Sequence, residues 1–194
     1  MIKMRSLLIS LLAAGFICAC SNDYVPKPRG YYRINLPEKA YIPFDSTGFP
    51  YSFEYPKYAS VMPNKGRITE PYWVNLVVPE LKATIYLSYK SLKGEKLSAL
   101  LEDSHTLLYK QSVKAESIEE SDILLPERKI YGILYDVGGD AASPVQFYIT
   151  DSTTHFIRGA LYFYSTPNKD SLAPVVAFMR QDILKMIDSF HWRK

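Results

Sequence analysis

Residues 72–89 read YWVNLVVPELKATIYLSY, and this stretch predicts the core of the fold. Two runs of β-branched and aromatic residues flank Pro79 and Glu80, which favours a β-hairpin with Pro79 at the first central position of a type I turn. In the second run, alternate side chains are apolar or aromatic and share one face of the strand. The side chains predicted to face the core are Ala83, Ile85, Leu87 and Tyr89.

After the hairpin, the apolar period changes from about two to about 3.6 residues, which predicts a helix over 95–111. Further strands are predicted at 115–123, 129–137, 145–150 and 155–164. The last of these is apolar on both faces, which indicates a central strand. This order, closed by a second helix, predicts an α+β fold: a central antiparallel sheet with helices packed on its faces.

The closing helix is predicted from a stripe of apolar side chains at helical spacing. The stripe consists of Val176, Met179, Ile183, Met186, Ile187 and Phe190. Asp170 is the predicted N-cap, since a carboxylate accepts hydrogen bonds from the unpaired amides of a first turn.

The N-terminus has the organisation of a secretory signal peptide. Lys3 and Arg5 precede an apolar run at 7–17, which is shorter than the roughly 20 residues of a membrane-spanning helix. The sequence Ile17-Cys18-Ala19-Cys20 resembles the bacterial lipobox, which implies that Cys20 becomes the first mature residue and carries a lipid. An ordinary secreted protein cut near Ala19 is the alternative.

The predicted organisation is a lipoprotein signal peptide (1–19), a lipidated N-terminus with an extended Pro/Tyr-rich arm (20–50), and a single α+β globular domain (51–194). The chain has 23 Lys and Arg against 20 Asp and Glu, and two of the cations belong to the signal peptide. The nearly neutral remainder implies no nucleic-acid partner. With two cysteines, both near the cleavage site, no internal disulfide or cysteine zinc site is expected.

Pro26 and Pro28 predict a stiff, extended arm, because proline fixes φ and biases the preceding residue to extended conformations. Two interpretations of the arm remain open. Its aromatic side chains could pack back on the domain, or the arm could be a docking surface for a protein partner, since Arg and Tyr are enriched in interface hot spots. The residues of that surface would be Lys27, Arg29, Tyr31, Tyr32 and Arg33.

Catalytic and metal-binding patterns are weak. His105, His155 and His191 are far apart in the sequence, and the polar segment 151–155 (DSTTH) is explained by a turn between two strands. Asp136 and Asp140 flank a glycine pair but provide too few carboxylates for calcium. The sequence therefore predicts a protein that is not an enzyme and has no cofactor or metal.

Residues 24–37, YVPKPRGYYRINLP, follow the lipobox and resemble the GldD-type gliding-motility lipoproteins of Bacteroidota. The closing residues 189–192, SFHW, fit the same family. The resemblance implies a role in gliding and in secretion through the type IX machinery, with protein partners in that apparatus. It assigns no catalytic residue. The order of elements is also similar to the PsbP/Mog1 group, an analogy of fold alone.

These observations predict a non-enzymatic, membrane-anchored lipoprotein that supports gliding motility or assembly of the type IX secretion machinery. Ser21 follows Cys20 with no adjacent Asp, which by resemblance to the sorting pattern of diderm bacteria favours the outer membrane, facing the periplasm. The alternative function is a periplasmic lipoprotein that binds a small molecule or cell-wall fragment beneath its aromatic surface.

Overall fold

The computed structural model describes residues 34–64, 66, 69–166 and 168–193, and the described residues from Ile34 onward form one compact unit. Its strands are β1 (Tyr41–Phe44), β2 (Tyr51–Pro56), β3 (Ser60–Pro63), β4 (Val74–Val78), β5 (Ala83–Ser91), β6 (Ala115–Leu125), β7 (Ile130–Gly139), β8 (Val145–Thr150), β9 (His155–Phe163) and β10 (His191–Trp192). Helix α1 (Leu97–Gln111) lies between β5 and β6, and helix α2 (Lys169–Asp188) lies between β9 and β10.

The strands form two antiparallel sheets. The large sheet has the order β3-β4-β5-β9-β8-β7-β6, and the small sheet has the order β1-β2-β10. Strand β9, apolar on both faces in the sequence, is the middle strand of the large sheet, which confirms its prediction as a central strand. The small sheet brings the end of the chain back to the predicted arm, because β10 pairs with β2 and β2 pairs with β1.

The predicted hairpin is confirmed as β4 and β5, but its turn differs from the expected type I turn. Four residues connect the strands: a 3-10 turn at Pro79–Leu81 and Lys82, whose φ of 49° is left-handed. The longer connection needs this left-handed residue to reverse the chain. The pattern Pro-Glu-x-Lys recurs at Pro126–Arg128 and Lys129, where φ is 54° and the turn joins β6 to β7.

The two helices cover opposite faces of the large sheet. Successive side chains of a strand point to opposite faces, and Leu134 on β7 packs in one cluster with Met179 and Ile183 of α2. The next residue, Tyr135, packs in a separate cluster with Leu108 of α1. The prediction of an antiparallel sheet with helices on its faces is therefore confirmed.

Helix α2 begins earlier than the sequence predicts. Its N-cap is Asn168, whose side chain accepts a hydrogen bond from the Ser171 amide at 3.0 Å. The predicted N-cap, Asp170, lies inside the first turn, where a carboxylate is instead favoured by the helix dipole. Among the described residues, neither helix combines the length and apolarity that a membrane span requires.

Part of the predicted arm belongs to the compact unit. Strand β1 lies within 20–50 but pairs with β2, and the ring of Phe44 stacks on Phe53 with centroids 4.9 Å apart. Tyr51, at the start of β2, is fully buried and stacks on Phe190. These aromatic residues of the first third therefore build the protein's own core, and the compact unit reaches upstream of residue 51 because β1 is paired.

Candidate functional site

The residues predicted for lipidation and for partner binding lie outside the described part of the chain. They are Cys20, Lys27, Arg29, Tyr31, Tyr32 and Arg33. The described chain starts directly after them, and its first apolar residues, Ile34 and Leu36, are exposed. Residues 34–50 are the part of the predicted arm that the structure describes.

A buried carboxylate holds this end of the arm against helix α2. Asp182 is 0% exposed, and its Oδ1 accepts hydrogen bonds from Lys39 Nζ at 2.6 Å and from Tyr41 Oη at 2.8 Å. Its Oδ2 accepts a hydrogen bond from Tyr58 Oη. We call these four residues the arm junction. Lys39 and Asp182 are 143 positions apart in the sequence, so the junction ties the beginning of the compact unit to its last helix.

The ring of Phe178 extends the arm junction. Lys39 Nζ donates a hydrogen bond to the Phe178 carbonyl at 2.7 Å and lies 3.6 Å from the centre of the Phe178 ring. The ring of Tyr58 stacks on the same ring, with centroids 5.8 Å apart. Burial, followed by the hydrogen bond to Asp182, raises the pKa of Tyr41 and of Tyr58 above the usual 10.0. Both hydroxyls therefore stay protonated donors at neutral pH, which suits a structural connection.

The polar turn between β8 and β9 contains Asp151 and His155, the acid and the base of the segment that was considered as a catalytic group. Asp151 Oδ1 accepts hydrogen bonds from the amides of Thr153, Thr154 and His155 at 3.0, 2.7 and 2.8 Å. Burial acts to raise the pKa of Asp151, but the three hydrogen bonds outweigh it, and the pKa lies below its ordinary value. The carboxylate is thus committed to shaping the turn, as expected for an Asx-type turn.

The ring of His155 is also engaged. Its Nδ1 lies 2.8 Å from Tyr89 Oη, and its face stacks on Trp192 with centroids 5.0 Å apart. Burial lowers the pKa of His155, with Asp151 acting in the opposite direction. The structure brings His155 to two aromatic residues rather than to a serine or threonine nucleophile.

Asp136 and Asp140 do not converge on a common point. Asp136 forms a two-pronged ion pair with Arg180, at 2.7 and 2.8 Å, and Asp140 accepts a hydrogen bond from the Lys169 amide. In the described ranges, no three His, Cys, Asp or Glu side chains are grouped in a way that could hold a metal ion.

The face of the large sheet opposite α2 carries a polar and aromatic surface that the sequence interpretation missed. We call it the tyrosine face. It consists of Thr84, Tyr86, Gln146, Tyr148, Arg158 and Tyr162. Alternation along β5 and β8, together with their register against β9, places these side chains on one face, because they occupy the positions between the core residues. That alternation was the available sequence signal.

Hydrogen bonds and ring contacts organise the tyrosine face. Arg158 Nη2 donates to Gln146 Oε1 at 2.5 Å, and the rings of Tyr86 and Tyr162 meet edge to face at 5.5 Å. The hydroxyls of Tyr86 and Tyr164 lie 2.9 Å apart, and this hydrogen bond, with burial, raises the pKa of Tyr86 to about 12. Thr84, on the same face, is fully buried. The arrangement combines a cation, an amide and phenols, which are groups that can form hydrogen bonds with a polar molecule.

Comparisons with known proteins identify a family and a similar structure. Residues 21–192 match the family model described as gliding motility lipoprotein GldD. No curated protein matches the chain. The solution structure of cyanobacterial PsbP (CyanoP) from Synechocystis sp. PCC 6803 is similar, with a TM-score of 0.47 and 13% identity over 92% of this chain and 99% of that one.

The family match begins at the residue after Cys20 and ends within β10, so it spans the predicted arm and the compact unit together. It also agrees with the resemblance carried by residues 24–37. The chain belongs to the GldD family of gliding-motility lipoproteins.

Proposed function

We propose that this protein is a non-enzymatic lipoprotein, anchored through Cys20, that supports assembly of a type IX secretion and gliding apparatus at the periplasmic side of the outer membrane. The observation that carries the proposal is the family match over 21–192. The family is one of lipoproteins, which associates the chain with the cell envelope, and its name associates it with gliding motility.

The mechanism we propose is tethering. A lipid on Cys20 would hold the domain near its partners, so that high local concentration replaces tight intrinsic affinity. The arm junction supports this mechanism, because Lys39 and Asp182 fix the domain end of the arm to α2. A force or a binding partner acting on the arm would then be transmitted to the folded domain through this connection. The proposed contact surface is the segment 27–33.

The proposal of a non-enzymatic role is supported by the turn between β8 and β9. Asp151 is used by three backbone amides, and His155 is used by Tyr89 and Trp192. A hydrolase built on His155 would need a nucleophile within hydrogen-bond reach of its ring.

One pair of cysteine variants and one triple variant test the proposal. Metabolic labelling with a palmitate analogue should be lost in Cys20→Ala and retained in Cys18→Ala, its matched control. The triple variant Tyr31→Ala/Tyr32→Ala/Arg33→Ala should impair export of type IX cargo while its melting temperature stays at the wild-type value. Labelling that survives in Cys20→Ala contradicts the anchor, and normal export in the triple variant contradicts the contact surface.

A second function, binding of a small molecule or cell-wall fragment, is favoured by the tyrosine face. Gln146 is 2% exposed, and its Nε2 has no hydrogen-bond partner among the described residues. Buried polar groups in folded proteins are nearly always paired, so a missing partner points to a bound molecule. Mass spectrometry of the purified full chain should then find a co-purified compound that is released when the protein is unfolded. An empty protein, with no compound after gentle purification, contradicts this second function.

A further inference from the structure

Two buried polar atoms of the large sheet lack partners, and both lie in one row across it. Among the residues that the structure describes, neither Gln146 Nε2 nor Asn75 Oδ1 has a hydrogen-bond partner. Strand register places Asn75 beside Tyr86, Tyr86 beside Ala160, and Ala160 beside Gln146. The row therefore presents an unused acceptor at one end and an unused donor at the other, with the small side chain of Ala160 next to the donor.

The identity of the unused donor follows from Arg158. A guanidinium can only donate hydrogen bonds, so the Gln146 atom that Arg158 Nη2 meets at 2.5 Å must be the amide oxygen. The Nε2 of Gln146 is consequently turned away from Arg158. Burial lowers the pKa of Arg158, as expected for a cation withdrawn from water. The pair thus joins a shielded positive charge to an N–H group that has no acceptor among the residues that the structure describes.

The surroundings of this pair are aromatic. Tyr148 is the next residue of β8 on the same face, and its ring stacks on Phe156 with centroids 5.7 Å apart. Tyr162 lies on β9, and Tyr86 lies on β5, the next strand of the sheet. Tyrosine offers an apolar ring together with a hydroxyl, and pockets that bind small molecules combine such walls with a few placed polar groups.

We propose that Gln146 and Arg158 bind the carboxylate of a small hydroxylated ring compound, a sugar acid, whose ring lies against the tyrosines. A carboxylate accepts from both a guanidinium and an amide, and charge-assisted bonds of this type are stronger than neutral ones. The inference deepens the second of the two functions proposed above and rests on it. It is independent of the anchoring and secretion roles.

A solvated polar face is the ordinary condition of one side of an antiparallel sheet. Gln146 differs from that condition because it is 2% exposed, so water does not freely satisfy its amide. Fully solvated glutamines need no ligand, whereas a buried one leaves its donor unpaired at a cost in free energy.

The test uses the full chain in detergent and two sugars that differ by one carboxylate. N-acetylmuramic acid carries a lactyl carboxylate that N-acetylglucosamine lacks. Calorimetric titration should show that the acid binds at least about tenfold more tightly than the neutral sugar. The variant Gln146→Glu keeps an oxygen for Arg158 and replaces the unused N–H with a second, negatively charged oxygen, so it should abolish binding of the acid without lowering the melting temperature.

Gln181→Glu is the matched control, because it makes the same change at an exposed position of α2 and should bind the acid as wild type does. Equal binding of the two sugars, no binding of the acid, or full binding by Gln146→Glu would overturn the carboxylate site. A neutral compound that co-purifies with wild type and with Gln146→Glu alike would also overturn it, while leaving the ligand-binding function in place.

Discussion

Two neighbouring residues of β4 show how differently the two faces of the large sheet are built. Leu76 points to the α2 side and is 1% exposed within the main apolar cluster. Asn75 points to the other side, next to Tyr86, and its Oδ1 is buried without a partner in the described part of the chain. The α2 side is closed by apolar contacts. On the other side, Asn75 Oδ1 and Gln146 Nε2 are buried without a hydrogen-bond partner among the residues that the structure describes.

The difference indicates that the two faces serve different purposes. Burial of apolar surface stabilises the fold in proportion to the area removed from water. Buried polar atoms without partners do the opposite, and we therefore attribute their presence at one face to the proposed binding rather than to stability. Substitutions on the two faces should therefore change the free energy of unfolding by different amounts and in different directions.

The largest expected effect is on the α2 side. Leu76→Ala should lower the free energy of unfolding by about 3–4 kcal/mol, because it removes apolar contacts and leaves a cavity in a packed cluster. Urea denaturation measures it, with Leu124→Ala as the control at a position that is 65% exposed. A loss below about 1 kcal/mol for Leu76→Ala would contradict the assignment of this face as the main source of stability.

The next effect concerns the arm junction. Asp182→Ala leaves Lys39 and two tyrosine hydroxyls without their common acceptor and should cost about 2–3 kcal/mol, since Lys39 keeps some contact with water. Asp188→Ala, on the same helix but exposed, is the matched control and should stay within about 0.5 kcal/mol of wild type. Equal losses in the two variants would show that the junction does not hold the arm.

Alkaline pH should weaken the same junction. The pKa values of Tyr41 and Tyr58 are raised above 10.0 by burial and by Asp182, so the unfolded chain loses these protons first. The contribution is fully present below about pH 10 and is lost as pH rises through the raised values. The urea midpoint should fall as pH rises above about 10, and should fall less in Tyr41→Phe/Tyr58→Phe than in Tyr109→Phe, the exposed control.

The smallest effect is expected at Asn75, which lies beside Tyr86 of the tyrosine face. Asn75→Val removes the unpaired oxygen and adds a β-branched side chain suited to a strand, so the free energy of unfolding should stay within about 1 kcal/mol of wild type or rise. Thermal and urea denaturation both report it, with Leu76→Ala as the contrasting neighbour. A large destabilisation by Asn75→Val would mean that this face also is built for stability.

Much of the fold could be predicted because local patterns determine it. The period-two pattern in β5 correctly predicted the buried face, and all four of its core residues are at most 7% exposed. The apolar stripe of α1 and the doubly apolar β9 were equally informative. These features depend on neighbours in the sequence, which a single chain displays directly.

Other features depend on partners that the sequence does not reveal. Nothing near Lys39 indicates that it will meet Asp182, and a single Asp within an apolar helical stripe gives no sign of its partners. Asp170 was the wrong N-cap because Asn168 also fits the preference for capping residues, and only backbone geometry decides between them. Strands β3 and β10 are too short for a periodic pattern to appear.

The candidate site was predictable only in part. The alternation along β5 and β8 was visible in the sequence, whereas β9 was predicted to be apolar on both faces and Arg158 was not singled out. The pairing of Arg158 with Gln146 requires the register of β8 against β9. That contact identifies Nε2 as the Gln146 atom that has no partner among the described residues. The residues predicted for lipidation and docking lie outside the described ranges, and their roles remain predictions.

The most direct test of the central proposal is the secreted proteome of a strain that lacks this gene, complemented with wild type or with Cys20→Ala. We predict that type IX cargo accumulates in the periplasm of the deletion strain, and that wild type restores export whereas Cys20→Ala does not. Unchanged export in the deletion strain would contradict the secretion role, and full rescue by Cys20→Ala would contradict the need for the anchor.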